Sequence, residues 1–323
     1  MRVGVALASW NGAAFVEQQL TSIARQTRRP DDLVVSDDAS SDATPEIVER
    51  VSAETQLPLR LLRGTARAGV VANFERAISA VDADVIVLCD QDDAWHEGKL
   101  ARIEQAFAGR PNLGGVFSDG RIVDQAGRSS GATLWGEFGF GAKQRQRAAR
   151  VGMTEVLLRK NVVTGATLAF AGPLRDLILP LGRAGLHDVW IALLVAATAG
   201  LEPLPDKLID YRIHSSNAEG LGVRDPAAAV SQRATARKSM ELQQFESILQ
   251  RLEERAPERA SNIRLLEAKV EHLRFRCELP TSALQRAARI GTALPSYARF
   301  SSGWRSPLLD LVAPARSRPL RSS

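Results

Sequence analysis

Residues 84–93, DVIVLCDQDD, decide how this chain is read. Val85 to Cys89 form an unbroken apolar run, as in a strand covered by helices on both faces. Asp90, Asp92 and Asp93 then crowd into four positions. Like charges so close together repel, and the end of a buried strand is a poor place for them. Carboxylates two apart at a strand end converge on one hard divalent cation. Mg²⁺ and Mn²⁺ prefer oxygen, and Mg²⁺ is commonly held by one or two carboxylates plus substrate phosphates. The bland alternative is a solvated acidic turn that caps a helix over 97–107. An EF-hand loop does not fit, because Trp95 stands where its glycine should be and no glutamate closes it.

Outward from this strand the chain alternates. VGVALAS (3–9), DLVVSD (32–37), LRLLRG (59–64) and GGVFSD (114–119) read as strands. FVEQQLTSIARQ (15–26), TPEIVERVSAE (44–54) and KLARIEQAF (99–107) have helical spacing, and Asn73 is placed to cap a helix running to about 82. This alternation predicts an α/β fold: a mostly parallel central sheet with helices on both faces. Ligands bind such sheets beyond the carboxyl ends of the strands. SWN after the first strand, SDDAS after the second and DQDD after the fourth all fall there, so three polar clusters meet at one crevice.

Further on, GEFGFGAKQRQRAAR reads as a mobile loop leading into a basic helix, NVVTGATLAF (161–170) as a strand and KLIDYRIH (207–214) as another. LHDVWIALLVAATAG (186–200) is an apolar helix that opens with His187 and Asp188, whose bland role is an N-cap. Leu242, Phe245, Leu249 and Leu252, then Ile263, Leu266, Val270 and Leu273, recur at helical spacing around Pro257. They predict an αα-hairpin packed on the main domain or on a second copy of the chain. The expected units are 1–224, 225–279 as a helical hairpin extension, and 280–323 as a basic, proline-containing tail that is amphipathic or partly disordered.

Charge separates these units. Residues 1–224 carry 25 basic and 27 acidic side chains, whereas 225–323 carry 17 and 10. Beyond residue 279 seven arginines face a lone Asp310, among Phe300, Trp304, Leu308 and Leu309. Such a tail is either a solvated end or oligomer contact, or an attachment to an anionic membrane surface. Cys89 and Cys277 cannot build a disulfide framework, and no Cys/His spacing suggests zinc. The N-terminus lacks the h-region of a signal peptide, and the apolar stretch at 189–201 is too short to span a bilayer. A cytoplasmic protein is expected, with a peripheral position on the inner face of the cytoplasmic membrane as a variant.

Five segments form a recognisable set: ASWNGAAFVEQQLTSIARQT, VVSDDASSDAT, CDQDDAWHEGKL, GLHDVWIALLVAATAG and LIDYRIHSSNAEG. In that order they resemble the inverting family-two glycosyltransferases of the GT-A fold, particularly bacterial rhamnosyltransferase-like members. The resemblance covers residues 2–220. It implies a GT-A domain that takes a nucleoside-diphosphate sugar and a divalent cation (Mn²⁺ or Mg²⁺), with a polysaccharide or lipid-linked acceptor. It implies donor binding by Ala8, Trp10, Asp37, Asp38, Arg67 and Asp90, with Trp10 flanking the base and Asp38 bonding to it. Asp90 and Asp92 correspond to the Asp-any-Asp metal motif, Asp93 supports them, and His214 approaches the metal or the diphosphate. Asp188 corresponds to the general base. Arg67-Ala68-Gly69 departs from the family's Asn-x-Gly.

Other classes compete with this reading. A sugar nucleotidyltransferase needs a basic glycine-rich loop after the first strand, and ASWNGAAF has no basic residue. A non-catalytic sugar-nucleotide-binding protein would not need Asp90, Asp92, Asp188 and His214 together. No P-loop is present, and no nucleic-acid recognition motif accompanies the arginines.

Overall fold

The fold is that of a computed structural model describing residues 1–214, 232–301, 303 and 305–312. It begins with strand–helix units: β1 (Val3–Ser9), α1 (Val16–Ala24), β2 (Asp32–Asp37), α2 (Thr44–Thr55), β3 (Leu59–Arg63), α3 (Val70–Ala80) and β4 (Val85–Asp90). A two-residue β5 (Ala94–Trp95) and α4 (Lys99–Phe107) follow, then β6 (Gly115–Val123), β7 (Ser129–Thr133), α5 (Leu134–Glu137), α6 (Ala142–Val151) and α7 (Met153–Arg159). The domain continues through β8 (Leu168–Ala171), α8 (Arg175–Ile178), α9 (His187–Thr198) and β9 (Leu201–Arg212).

All nine strands form one sheet in the order β3-β2-β1-β4-β8-β6-β9-β5, with β7 on β6. The first four run parallel, as the alternation predicted. β1, β2 and β4 are buried almost throughout, as in strands covered by helices on both faces, whereas the edge strand β3 is only half-buried. The second half is mixed. β8 enters antiparallel between β4 and β6, and β5 pairs antiparallel with β9 while β9 runs parallel to β6. Uninterrupted parallel pairing is therefore a property of the first half, and beyond it β6 and β9 are the one parallel pair among the described residues. β8 follows three helices, α5 to α7, and still returns antiparallel, so alternation alone could not announce its direction.

One local expectation is corrected. Asn73 does not cap α3, which begins three residues earlier, behind Gly69 at φ +89°. Asn73 is buried instead and ties two strands together, as described below. The basic helix expected after GEFGFG is present as α6.

The C-terminal region is helical. α10 (Gln232–Arg255) and α11 (Ala260–Cys277) form the expected hairpin, followed by α12 (Ala283–Thr292), α13 (Leu294–Phe300) and α14 (Arg305–Val312). The domain boundary at 224/225 and the chain beyond 312 lie outside the described residues. The hairpin packs on α9 and α7, and Phe245, Ile248, Leu252, Leu266, Val270 and Leu273 are all buried within the chain. Of the two expected placements, the hairpin thus takes the one on the main domain. Residues 283–312 are likewise not a loose tail. Asp310, 1 % exposed, takes an ion pair from Lys238 of α10, another from Arg276 of α11 at 2.7 Å, and the Tyr297 hydroxyl of α13 at 2.7 Å. One carboxylate thus joins four helices.

Breaking a buried ion cluster from one side leaves the other charges uncompensated, at a cost of about 3–5 kcal/mol. Asp310→Ala is expected to lose about that much in urea unfolding, with the helical extension loosening first. Unchanged unfolding would contradict the assignment.

Candidate active site

The parallel register sets the strand ends side by side. Ala8 faces Ser36 on one side and Asp90 on the other, and Ser9 faces Asp37. Adjacent strands lie about 4.8 Å apart, so the ends of β2, β1 and β4 form a continuous ledge. Asn73 locks this ledge: Ser36 Oγ donates to its Oδ1 at 2.6 Å, and its Nδ2 donates to the Ser9 carbonyl at 3.0 Å.

The two aspartates after β2 have separate duties. Asp37 accepts from Ser9 Oγ at 3.0 Å, and from Ser40 N and Oγ at 2.9 and 2.6 Å, so it organises its own turn. Asp38 accepts from the backbone N–H groups of Ala68 and Gly69 at 2.7 and 2.8 Å. This draws the 64–69 loop over the strand ends and brings the Arg67 guanidinium 3.5 Å from the centre of the Trp10 ring. Asp38, Arg67 and Trp10 therefore share one wall. The Gln91 side chain fixes Trp10 to the acidic turn, donating to the Trp10 carbonyl at 3.0 Å and accepting from its N–H at 2.9 Å. A Cβ on Gly12 would stand 2.1 Å from Gln91 Oε1, so this approach requires glycine.

The acidic turn is held from below by the end of β9. Arg212 is buried. Its backbone N–H donates to Asp93 Oδ1 at 3.0 Å, and its Nε donates to the Asp92 carbonyl at 2.9 Å. Its remaining guanidinium donors reach the Gln125 carbonyl at 2.8 Å and Gln18 Oε1 at 2.7 Å. Two residues on, His214 Nε2 lies 2.9 Å from Asp92 Oδ2, with its ring stacked on Phe15. From the other side comes Lys99, fully buried, which donates to the Ala166 carbonyl at 2.8 Å under the Trp95 ring. The acidic residues do not cap α4, whose N-cap is Gly98 without a side-chain bond.

Asp188 stands in the first turn of α9. The N-cap there is Leu186, so Asp188 is not the cap; its Oδ1 accepts from the Val189 N–H at 2.6 Å. His187 is buried and stacks on Phe74 of α3 at 4.2 Å, and neither ring nitrogen has a hydrogen-bond partner among the described residues. Burial pushes its pKa down to about 4, so the ring is neutral near pH 7.

Electrostatics shows that these groups converge. Burial, then the charges of Asp92 and Asp188, push Asp90 up to about 7. Burial, then the charges of Asp92 and Asp90, hold Asp93 well above the usual range. The Tyr211 hydroxyl, raised first by burial, also feels Asp93, Asp90, Asp92 and Asp188. Burial pushes Lys99 down to about 8, against the pull of Cys89, Asp93 and Asp90. Residues 90, 92, 93, 188 and 214 thus border one space, and Ala8, Trp10, Asp37, Asp38 and Arg67 line its adjoining wall. Sequence reasoning missed Gln91, Lys99, Tyr211 and Arg212. The signal for Lys99 was its place on the apolar face of KLARIEQAF, beside Leu100 and Ile103.

The donor set suits a hard cation. Asp93 Oδ2 is a buried oxygen without a hydrogen-bond partner among the described residues, and the Asp92 and His214 side chains meet at one point. Among the described residues no three such groups form a ready cage.

A folded-state pKa for Asp90 near 7, against 3.8 unfolded, means the native protein binds more protons between those values. Stability on this account falls as pH rises from about 4 to 7. In EDTA, Asp90→Asn is expected to remove that fall, read from urea unfolding across the pH series. Parallel wild-type and variant profiles would refute it.

Sheet order, ledge and converging carboxylates define the class as a GT-A α/β domain. Residues 5–159 match the family model "Glycosyl transferase family 2". It is 34% identical over 98 residues to the dTDP-rhamnosyl transferase RfbG of Shigella flexneri, covering 29% of this chain and 34% of that protein. Alignments with the curated relatives span only about a third of their length. Among solved structures, Staphylococcus aureus TarS 1–349 in complex with UDP-GlcNAc superposes with a TM-score of 0.58 at 15% identity, covering 97% of this chain and 89% of that one. The mannosyltransferase PcManGT of Pyrobaculum calidifontis, in complex with GDP-Man and Mn²⁺, gives 0.56 at 22% identity, covering 92% and 77%.

Proposed function

We propose that the protein is a metal-assisted, inverting glycosyltransferase. It moves a sugar from a nucleoside-diphosphate donor to a hydroxyl of a cell-surface polysaccharide or lipid-linked acceptor. The observation that carries this reading is the convergence of Asp90, Asp92 and Asp188 beyond the carboxyl ends of one sheet, with His214 against Asp92. Similarity to RfbG supports rhamnose as the sugar to try first.

The residues then have distinct tasks. Trp10 and Arg67 flank the base, and Asp38, which now holds the 68–69 backbone, exchanges those bonds for base N–H groups. Asp90, Asp92 and His214 would hold a divalent cation, which when bound offsets the charge growing on the diphosphate. Asp188 takes the proton of the attacking acceptor hydroxyl, on the face of the sugar opposite the leaving group. His187, neutral and clamped by Phe74, fixes the first turn of α9 that carries Asp188. One displacement inverts the anomeric centre, and no protein nucleophile takes part.

Screening nucleoside-diphosphate sugars, dTDP-rhamnose first, by thermal stabilisation with and without Mn²⁺ tests donor binding. Asp188→Asn is expected to lower kcat by about a hundredfold or more with donor affinity retained, since a base acts only once the complex has formed. Transfer at the wild-type rate would sink the base assignment.

The lipid setting of the acceptor has support of its own. Leu284, Leu294, Leu308, Leu309 and Val312 are exposed on α12–α14, among Arg289, Arg299 and Arg305. No helix among the described residues is long and apolar enough to cross a membrane. These side chains suit attachment to an anionic surface. Leu308→Glu with Leu309→Glu leaves the Asp310 cluster intact and is expected to reduce co-sedimentation with phosphatidylglycerol vesicles. Equal sedimentation of both proteins would remove this attachment.

A further inference from the structure

Asp188 owes its place to a helix that is apolar on nearly every side. Trp190, Ile191, Ala192, Leu193, Leu194 and Val195 of α9 are all buried. Apolar burial is non-directional, so these contacts do not fix how far the helix turns or slides. Hydrogen bonds do, because they weaken steeply away from their preferred distance and angle. The first bond of α9, from the Trp190 N–H to the Leu186 carbonyl, is long at 3.3 Å. The same carbonyl accepts from Gln244 Nε2 of α10 at 2.7 Å. The opening of α9 is thus gripped more closely from α10 than by its own helix bond. Gln244 is buried, and the chain comes right up to it. A Cβ on Gly185 would stand 2.3 Å from Gln244 Oε1, and Gly185 has φ +81°, so this approach requires glycine.

The grip extends along the approach to the base. About two turns further along α10, on the same face, Arg251 donates to the carbonyls of Leu177, Leu179 and Pro180 at 2.8, 3.1 and 3.0 Å. From α3, Glu75 accepts from the Leu181 N–H at 2.8 Å. At the far end of α9, Asn262 Nδ2 of α11 donates to the Ala197 carbonyl at 2.7 Å. The hairpin therefore holds α9 at both ends. We propose that Gln244 is a positioning residue for Asp188, through which the helical extension sets the place of the base. Asp188 follows the gripped carbonyl within the same turn. Without the amide donor, that turn is left on its long helix bond and drifts, and proton transfer from an acceptor hydroxyl is sensitive to shifts of about 1 Å. The catalytic consequence rests on the glycosyltransferase reading; the fastening of the turn does not.

The test compares two variants of the full chain. Gln244→Met keeps the length of the side chain and removes the donor. Asn262→Leu removes the matching bond at the other end of α9 and is the control. Amide hydrogen exchange is read over residues 184–191. Turnover is read as nucleoside diphosphate released with Mn²⁺ from a panel of sugar nucleotides, dTDP-rhamnose first, and donor affinity by calorimetry. Both variants are expected to lose a similar amount of stability in urea, since each gives up one amide–carbonyl bond. Only Gln244→Met is expected to exchange faster over 184–191 and to lower kcat about tenfold, with donor affinity unchanged. Exchange or kcat at the wild-type value in Gln244→Met overturns the proposal. So does an equal loss of kcat in Asn262→Leu, which would mean a general loosening of α9. If wild type turns over no sugar nucleotide, or Asp188→Asn matches it, the glycosyltransferase reading fails, and exchange alone decides whether Gln244 holds the turn.

Discussion

Everything at this site depends on how four carboxylates can share a nearly dry crevice. Repulsion among them is offset by buried cations reached from two directions. Arg212 grips the backbone of the acidic turn, and Lys99 supplies positive charge from beneath it. Lys99 is also the first residue of α4, where the helix dipole disfavours a cation. The neighbouring acids, together with the Ala166 carbonyl and the Trp95 ring, hold the ammonium there. The fold thus brings its own counter-charge, although not enough of it: Asp90 and Asp93 still sit above their ordinary range. That residual deficit is what a dication would fill.

Placement comes from α3 as much as from the sheet. Asn73 bonds the ends of β1 and β2, while its neighbour Phe74 stacks on His187, next to Asp188. A single turn of helix therefore spaces the ends of β1 and β2 from Asp188. A shift of this turn would move both halves of the site together, which keeps their separation constant.

Much of this was legible in the chain. Apolar runs ending in SWN, SDDAS and DQDD gave the parallel half of the sheet and its polar rim, because strand periodicity and strand-end position are local properties. The spacing of Leu242 to Leu273 gave the hairpin. What stayed hidden depends on contacts between distant residues. The antiparallel insertion of β8 has no local marker. Arg212 lies in DYRIH with no hint that its guanidinium would turn inward, and Asp310 looked like a stray acid among arginines until three helices closed around it. Asp38 and Asp37, adjacent and alike in sequence, were separated only by which backbone each one meets.

The pinning of α14 ties distant parts of the chain to one another. Loss of the helix that carries Asp310 would strip the anion from Lys238 and Arg276, 72 and 34 residues upstream. Damage to α14 would therefore be felt in the helices packed on α9, not only at the surface where it occurs.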